Sequence, residues 1–227
     1  MRLFKRLAIA LICLLLAWQG WYLGWVVLWK YKNPNMTRFM EIRLEQLHEK
    51  KPGAELKHQW QDYRKISAHL KRAVIAAEDD KFVDHEGFDW EGIQKALEKN
   101  QQKGKVVAGG STISQQLAKN LFLSPAKTPW RKAQEAVITM MLEALWDKRR
   151  ILEVYLNVVE WGEGVFGAEA AARRYFGVSA AALGQEQAAR LAVMLPAPRR
   201  YERNPYSDFM NAHTQLILGR MQYAELP

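Results

Sequence analysis

Leu7 to Trp29 is a run of 23 residues without a charge, and no other stretch restricts this chain as strongly. As a helix it is about 35 Å long, enough to cross the hydrocarbon core of a bilayer. Arg2, Lys5 and Arg6 precede it. Trp18, Trp21, Tyr22, Trp25 and Trp29 crowd its second half, in the manner of an interfacial aromatic belt. The run is too long for the apolar part of a signal peptide and no small-x-small cleavage site follows, so a retained transmembrane helix is expected. Lys30, Lys32 and Arg38 lie beyond it, so the positive-inside rule favours a cytoplasmic N-terminus only slightly. What remains has room for one domain of ordinary size. The expected division is a short N-terminus over 1–6, the membrane helix over 7–29, a polar, basic juxtamembrane connector over 30–65 with a helical patch near Met40 to Leu47, and one domain over 66–227.

The formal charge is +9, from 33 Lys and Arg against 24 Asp and Glu. Nucleic acid, anionic headgroups and a phosphorylated substrate all suit such a balance. Nucleic acid is the weakest of the three, because no zinc-finger, basic-zipper or RNA-recognition signature is present. Lys51, Lys57, Arg64 and Lys65 suit either headgroups or an ordinary solvated surface. Cys13 is the single cysteine and lies in the apolar run, which leaves no disulfide framework and no thiolate metal site.

Beyond the connector the periodicity is helical throughout. Leu70, Val74 and Ala77 mark a first helix. Trp90 to Asn100 follows, with Asp89 as cap and Ile93, Ala96 and Leu97 as its apolar side. Gln101 to Gly110 carries three glycines and two lysines and reads equally as a mobile cationic flap or a plain loop. Ser111 to Phe122 has an apolar stripe, Ile113, Leu117 and Leu121, and a polar one, Thr112, Gln116 and Lys119. Thr128-Pro129 opens a long helix as cap and first position, with Ala133, Val137, Met140, Met141, Ala144 and Leu145 as its expected core side. Helices over Lys148 to Val159, Ala168 to Tyr175 and Leu183 to Leu195 complete the set, the last stopped by Pro196-Ala197-Pro198. Val106-Val107 and Val158-Val159 are too short for strands, so the expected fold is all-α.

The chemistry is expected where the first helix ends, in Glu78-Asp79-Asp80-Lys81-Phe82-Val83-Asp84-His85-Glu86-Gly87. A carboxylate at the end of an apolar helix sits half against a core and half in a cleft, which raises its pKa toward the range of a general base. If the helix continues, Glu78, Phe82 and His85 share one face. Five acids in nine residues are by themselves more often a charged loop. The second stretch, Gly109-Gly110-Ser111-Thr112-Ile113-Ser114-Gln115-Gln116-Leu117-Ala118-Lys119-Asn120, changes that balance. Free N–H groups at its helix N-terminus with Lys119 further along suit an anion. Arg131 and Glu135, at i and i+4 with Lys132 beside them, form either a surface ion pair of little energetic worth or part of the same site.

These stretches resemble the signature motifs of the family 51 glycosyltransferases, the peptidoglycan glycosyltransferases that polymerise lipid II. Glu-Asp-x-x-Phe-x-x-His-x-Gly is met by Glu78, Asp79, Phe82, His85 and Gly87. Gly-Gly-Ser-Thr-Ile-x-Gln-Gln-x-x-Lys-Asn is met from Gly109 to Asn120. Arg-Lys-x-x-Glu is met by Arg131, Lys132 and Glu135, and Ile151-Leu152-Glu153-x-Tyr155-Leu156-Asn157 resembles a fourth motif. The resemblance covers roughly residues 60 to 205 and has the layout of a monofunctional enzyme.

It implies a lysozyme-like glycosyltransferase domain around a long cleft. Glu78 and Glu135 are the implied catalytic carboxylates. Asp79, Phe82, His85, Ser111, Thr112, Gln115, Gln116, Lys119, Asn120, Arg131 and Lys132 are the implied substrate-binding residues, and Glu153 is mainly scaffolding. The implied substrates are lipid II and the nascent lipid-linked glycan. The implied location is the bacterial cytoplasmic (inner) membrane, with the domain on the periplasmic or extracellular side, where cell-wall synthesis or division proteins are potential partners. The resemblance fixes no cofactor and leaves open whether Mg or Mn assists the diphosphate; Glu135 suits either holding that metal or ordering the cations. Ser124-Pro125-Ala126-Lys127 fits the Ser-x-x-Lys of penicillin-binding transpeptidases, but no Ser-x-Asn or Lys-Thr-Gly partner accompanies it, so no transpeptidase is expected.

Overall fold

The structure, a computed structural model, describes residues 2–105 and 109–227. The expected flap over 101–110, and Val106-Val107 within it, fall partly on residues 106–108, outside the described residues. The long apolar run lies within helix α1 (Arg2–Tyr31), which is long and apolar enough to cross a membrane. The domain is built from α2 (Arg38–Lys50), α3 (Ala68–Glu78), α4 (Trp90–Lys103), α5 (Ile113–Phe122), α6 (Pro129–Leu145), α7 (Lys148–Val158), α8 (Ala168–Phe176), α9 (Gln185–Met194), the short α10 (Pro198–Tyr201) and α11 (Asp208–Arg220).

Most of these helices begin where the sequence supplies a cap. Thr37, Ser67, Asp89, Thr112, Thr128, Asp147 and Ser207 each accept a hydrogen bond from a backbone N–H in the first turn. Such a cap typically contributes about 1 kcal/mol. α3 packs on α9 and α11, and α5 packs between α6 and α7 with α2 lying across it. Leu70, Phe82, Ile113, Leu117, Leu142, Tyr155, Trp161 and Phe166 are among the fully buried side chains of the shared core.

The all-α expectation describes the domain apart from one small sheet. β1 (Lys57–His58), β2 (Glu160–Gly162) and β3 (Val165–Phe166) are ordered β1-β3-β2, with β1 parallel and β2 antiparallel to β3. These strands are too short for an alternating pattern to register. Residues 38–65 join the same packing: Phe39, Met40, Leu47 and Tyr63 are buried in the core. Gly167 closes the sheet into α8 at φ 81°, ψ 156°, a region open essentially only to glycine. An added Cβ there would lie 2.6 Å from the backbone oxygen of Asn157.

Three helix readings change. α3 stops at Glu78, with the Asp79 N–H bonded back to the Ile75 oxygen, so Glu78, Phe82 and His85 are not on one continuing helix face. On α4, Leu97 is exposed, while Ala96 is buried. On α6 the inward side is Gln134, Glu135, Ile138, Thr139 and Leu142, whereas Ala133, Met140 and Ala144 are exposed and Val137, Met141 and Leu145 only half-buried. The apolar stripe of α6 thus points out, beside α1, and its more polar side is the buried one, with Gln134 covered by α1.

α1 is held along α6 by side chains of its second half. Gln19 and Gln134 exchange amide hydrogen bonds of 2.9 and 3.0 Å. Trp18 stacks on Trp130 at 5.7 Å, Tyr22 and Trp29 meet Phe122, and the Trp146 indole donates to the Val26 oxygen at 2.9 Å. Part of the expected aromatic belt therefore grips the domain, and Trp21 is the member left strongly exposed.

Gly167→Ala should lower stability by about 1–3 kcal/mol from backbone strain, before any clash. Gly177→Ala, also at positive φ but with open space around the added Cβ, should cost about 1–2 kcal/mol. Thermal melting of the two variants against the parent checks the order.

Candidate active site

The C-terminus of α3 meets the N-terminus of α5. Asp79 makes the junction: its Oδ2 accepts the Ile113 N–H at 2.9 Å and its Oδ1 takes a 2.9 Å hydrogen bond from His85 Nε2. His85 Nδ1 accepts from the Gly87 N–H at 3.1 Å, so the proton sits on Nε2 and is donated to Asp79. The Gly87 oxygen accepts from the Thr112 hydroxyl at 2.7 Å. Gly87 has φ 90°, and a Cβ there would lie 2.8 Å from the Thr139 methyl, so glycine is required for the loop to pass α6. Thr112 and Gln115 form a reciprocal capping box at the start of α5. Asp79, His85, Thr112 and Gln115 therefore face one another, and Phe82 is wholly in the core.

The remaining implied residues lie at the end of α3, on α5 and its entry, and on α6. Glu78 Oε2 accepts from Gln116 Nε2 at 2.7 Å, and Gln116 Oε1 accepts from the Tyr155 hydroxyl at 2.9 Å. Glu78 Oε1 is buried and has no hydrogen-bond partner. Burial raises the Glu78 pKa, opposed by the Gln116 hydrogen bond and the nearby Lys119 charge. Lys119 makes no hydrogen bond or ion pair among the described residues and lies 5.9 Å from the Phe39 ring centre. Burial lowers its pKa, while Glu135 and Glu78 raise it.

From α6, the buried Glu135 carboxylate accepts from both Arg131 and Lys132. Lys132 also donates to the Ser111 hydroxyl at 3.1 Å, tying α6 to the entry of α5. Arg131 Nε, like Glu78 Oε1, is buried without a partner. Asn120 is buried on α5. A cavity of about 180 Å³ next to Glu78 is lined by Ala77, Asp79, Asp89, Gly110, Ser111 and Arg220, among others.

Glu153 supports the site from behind. Its carboxylate accepts from the Tyr63 N–H at 2.7 Å and from Arg150 at 2.7 Å. Two further contacts were not legible in the sequence, although Tyr155 itself stands in the fourth motif. Tyr155 carries a polar tip on the buried face of amphipathic α7, and such a tyrosine needs a hydrogen-bond partner. That requirement was the available signal. Glu143 is the second: it accepts from the Ser114 hydroxyl and from Lys148 at 2.8 Å, joining α5, α6 and α7. Nothing in its local sequence separates it from a surface glutamate. Ser124 merely accepts from the Ala126 N–H at 3.4 Å in an exposed turn.

A single carboxylate with a free oxygen, beside three cations held on two helices, suits transfer of a group from an anionic leaving group to a hydroxyl. The chain belongs to the transglycosylase family, whose model matches residues 44–222. Among its curated relatives, the biosynthetic peptidoglycan transglycosylase of Dechloromonas aromatica (strain RCB) is 65% identical over 226 residues, covering 100% of this chain and 98% of that protein. Those of the same name from Azoarcus sp. (strain BH72) and Aromatoleum aromaticum are 64% and 62% identical over 226 and 222 residues, covering 100% and 98% of this chain and 97% and 96% of theirs.

Because the folded-state pKa of Glu78 is raised, its ionised form opposes folding above that pKa, and the cost fades as pH falls through it. Glu78→Gln should therefore stabilise the protein at neutral pH by about 1 kcal/mol. The gain should shrink in acidic buffer. Melting of parent and variant across pH checks both the sign and the trend.

Proposed function

We infer that this chain is a peptidoglycan glycosyltransferase that polymerises lipid II, transferring the lipid-diphosphate-linked glycan to the 4-hydroxyl of the acceptor's GlcNAc with inversion. The observation that carries this reading is the buried, partnerless Glu78 Oε1 with the Lys119 charge acting on it, and Arg131 and Lys132 next to Lys119 in turn. An alcohol is a poor nucleophile and needs a base in the transition state. Glu78 Oε1 takes the hydroxyl proton while Gln116 holds Oε2. The new bond forms from the acceptor oxygen to the donor anomeric carbon as the bond from that carbon to the diphosphate oxygen breaks. The diphosphate leaves with the electron pair and needs positive charge, which Lys119, Arg131 and Lys132 supply. Glu135 touches two of those cations and orders them.

A divalent cation is not well matched to these residues. Among the described residues no three His, Cys, Asp or Glu side chains are grouped to hold one, and both oxygens of Glu135 already accept from cations. No step is assigned to a metal.

The competing reading is a lysozyme-like hydrolase that protonates a glycosidic oxygen. Such an acid is best served by a neighbour that stabilises the protonated form. Gln116 instead donates to Glu78, which favours the carboxylate. A cationic cluster in the cleft is also of no use to hydrolysis of a neutral glycosidic bond. The exposed turn at Ser124 supports a chain without transpeptidase activity, for which labelling by a fluorescent β-lactam is the check.

The reading also places the protein in the bacterial cytoplasmic membrane, crossed by residues 7–29, with the domain on the outer side. The outward apolar face of α6, lying along α1, then rests against lipid.

Glu78→Gln should lower turnover of lipid II by about two to four orders of magnitude yet still bind a non-reactive lipid-diphosphate analogue. Lys119→Ala should lose analogue binding together with turnover. Near-parental polymerisation by Glu78→Gln, or undiminished analogue binding by Lys119→Ala, would contradict these roles.

A further inference from the structure

Tyr155 lies on α7 with its side chain wholly buried and its hydroxyl within hydrogen-bond distance of one side chain in particular, Gln116. A phenol has a single proton to donate. Burial raises its pKa well above the ordinary tyrosine value, and the nearby Glu78 and Asp79 charges act in the same direction, so the proton stays on. That proton goes to Gln116 Oε1 at 2.9 Å. A planar amide whose oxygen is held on one side must present its N–H₂ on the other, and there Nε2 donates to Glu78 Oε2 at 2.7 Å. The opposite amide orientation would set two oxygens against each other at Glu78 and leave the buried phenol proton without its acceptor, a costly arrangement.

We propose that Tyr155 is a positioning residue for the reaction, fixing Gln116 so that its amide N–H holds Glu78 Oε2 and leaves Oε1 to meet the acceptor hydroxyl. The proposal rests on the reading of Glu78 as the base. Tyr155 itself touches neither Glu78 nor the cleft cations by hydrogen bond; it acts through Gln116 alone. Without the phenol hydroxyl, Gln116 is free to rotate and accept a proton from a neutral Glu78. The fixed orientation supports the carboxylate, whereas the free amide supports either protonation state.

The other charged groups around Glu78 are Asp79 beside it and Lys119 on α5. Arg131, Lys132 and Glu135 of α6 act on Lys119 in turn. On the α11 side, Arg220 pairs with Asp80 at 3.2 Å. None of these is altered by removing the Tyr155 hydroxyl, so a change in the titration of Glu78 reports on the amide.

The experiment is the pH–rate profile of lipid II polymerisation by the purified full-length chain, for the parent, Tyr155→Phe, Gln116→Ala and the double variant. Tyr155→Phe should lower the rate about tenfold, the worth of one neutral hydrogen bond. Its acidic limb should move to higher pH. Gln116→Ala should move the limb the same way, and Tyr155→Phe should add nothing further in that background. Gln116 is only half-buried, so its variant supplies the readout even if the core rejects phenylalanine at 155. A Tyr155→Phe enzyme that melts earlier but keeps the parental acidic limb would make Tyr155 merely structural and overturn the proposal. So would an unmoved limb in Gln116→Ala, or independent additive effects in the double variant. An inactive Glu78→Gln with an unmoved Tyr155→Phe limb defeats the relay alone; an active Glu78→Gln defeats the underlying assignment of the base.

Discussion

The two hydrogen bonds of the Asp79 carboxylate carry the geometry of this molecule. One oxygen receives the first N–H of α5 and the other receives the His85 imidazole. A buried carboxylate without such partners would be expensive; with them it is a clamp. It fixes the end of α3 against the start of α5, and Glu78 is the last residue of α3. The direction of Glu78 toward Gln116 and Lys119 follows from that clamp. The loop from 80 to 87 is secured by the same group, since His85 bonds Asp79 with one nitrogen and the Gly87 backbone with the other.

Around this clamp, charge is arranged by cost. Glu78 is pushed toward protonation by burial and drawn back by Gln116 and Lys119. Lys119 is pushed toward neutrality by burial and drawn back by Glu135 and Glu78. Each group is therefore strained alone and tolerable only in the presence of the other. Arg131 and Lys132 share Glu135. A buried carboxylate paired to two cations contributes little to stability by itself, so its value lies in fixing where the positive charge stands. An anionic ligand arriving at Lys119 relieves the one cation of the group that has no paired carboxylate among the described residues.

Much of the site was legible because its residues are close in sequence and obey helical spacing. The Glu78 and Ser111–Asn120 stretches, the Thr128-Pro129 helix start and the Arg131–Glu135 pair were all readable from the chain. The face of α6 was not. Helical periodicity finds an apolar stripe but does not say whether that stripe meets a core or lies outward beside an apolar anchor, and here it lies outward. Whether the first helix continues through His85 was open in the sequence for a related reason. Local pattern does not reveal that the Asp79 side chain is committed to a distant backbone N–H, which ends α3 in place. Tyr155 and Glu143 belong to the site through contacts across 39 and 29 residues of sequence. The two- and three-residue strands lie below the length at which alternation means anything.

The proposed reaction builds glycan from a lipid-linked donor. The most direct measurement supplies the full-length chain in bilayers with pure lipid II in one arm and preformed cell-wall glycan in the other, and resolves the products by size. Polymerisation of lipid II yields lipid-ended polymer of increasing length in the first arm and leaves the glycan intact in the second. Shortened wall glycan with lipid II left unpolymerised would contradict it.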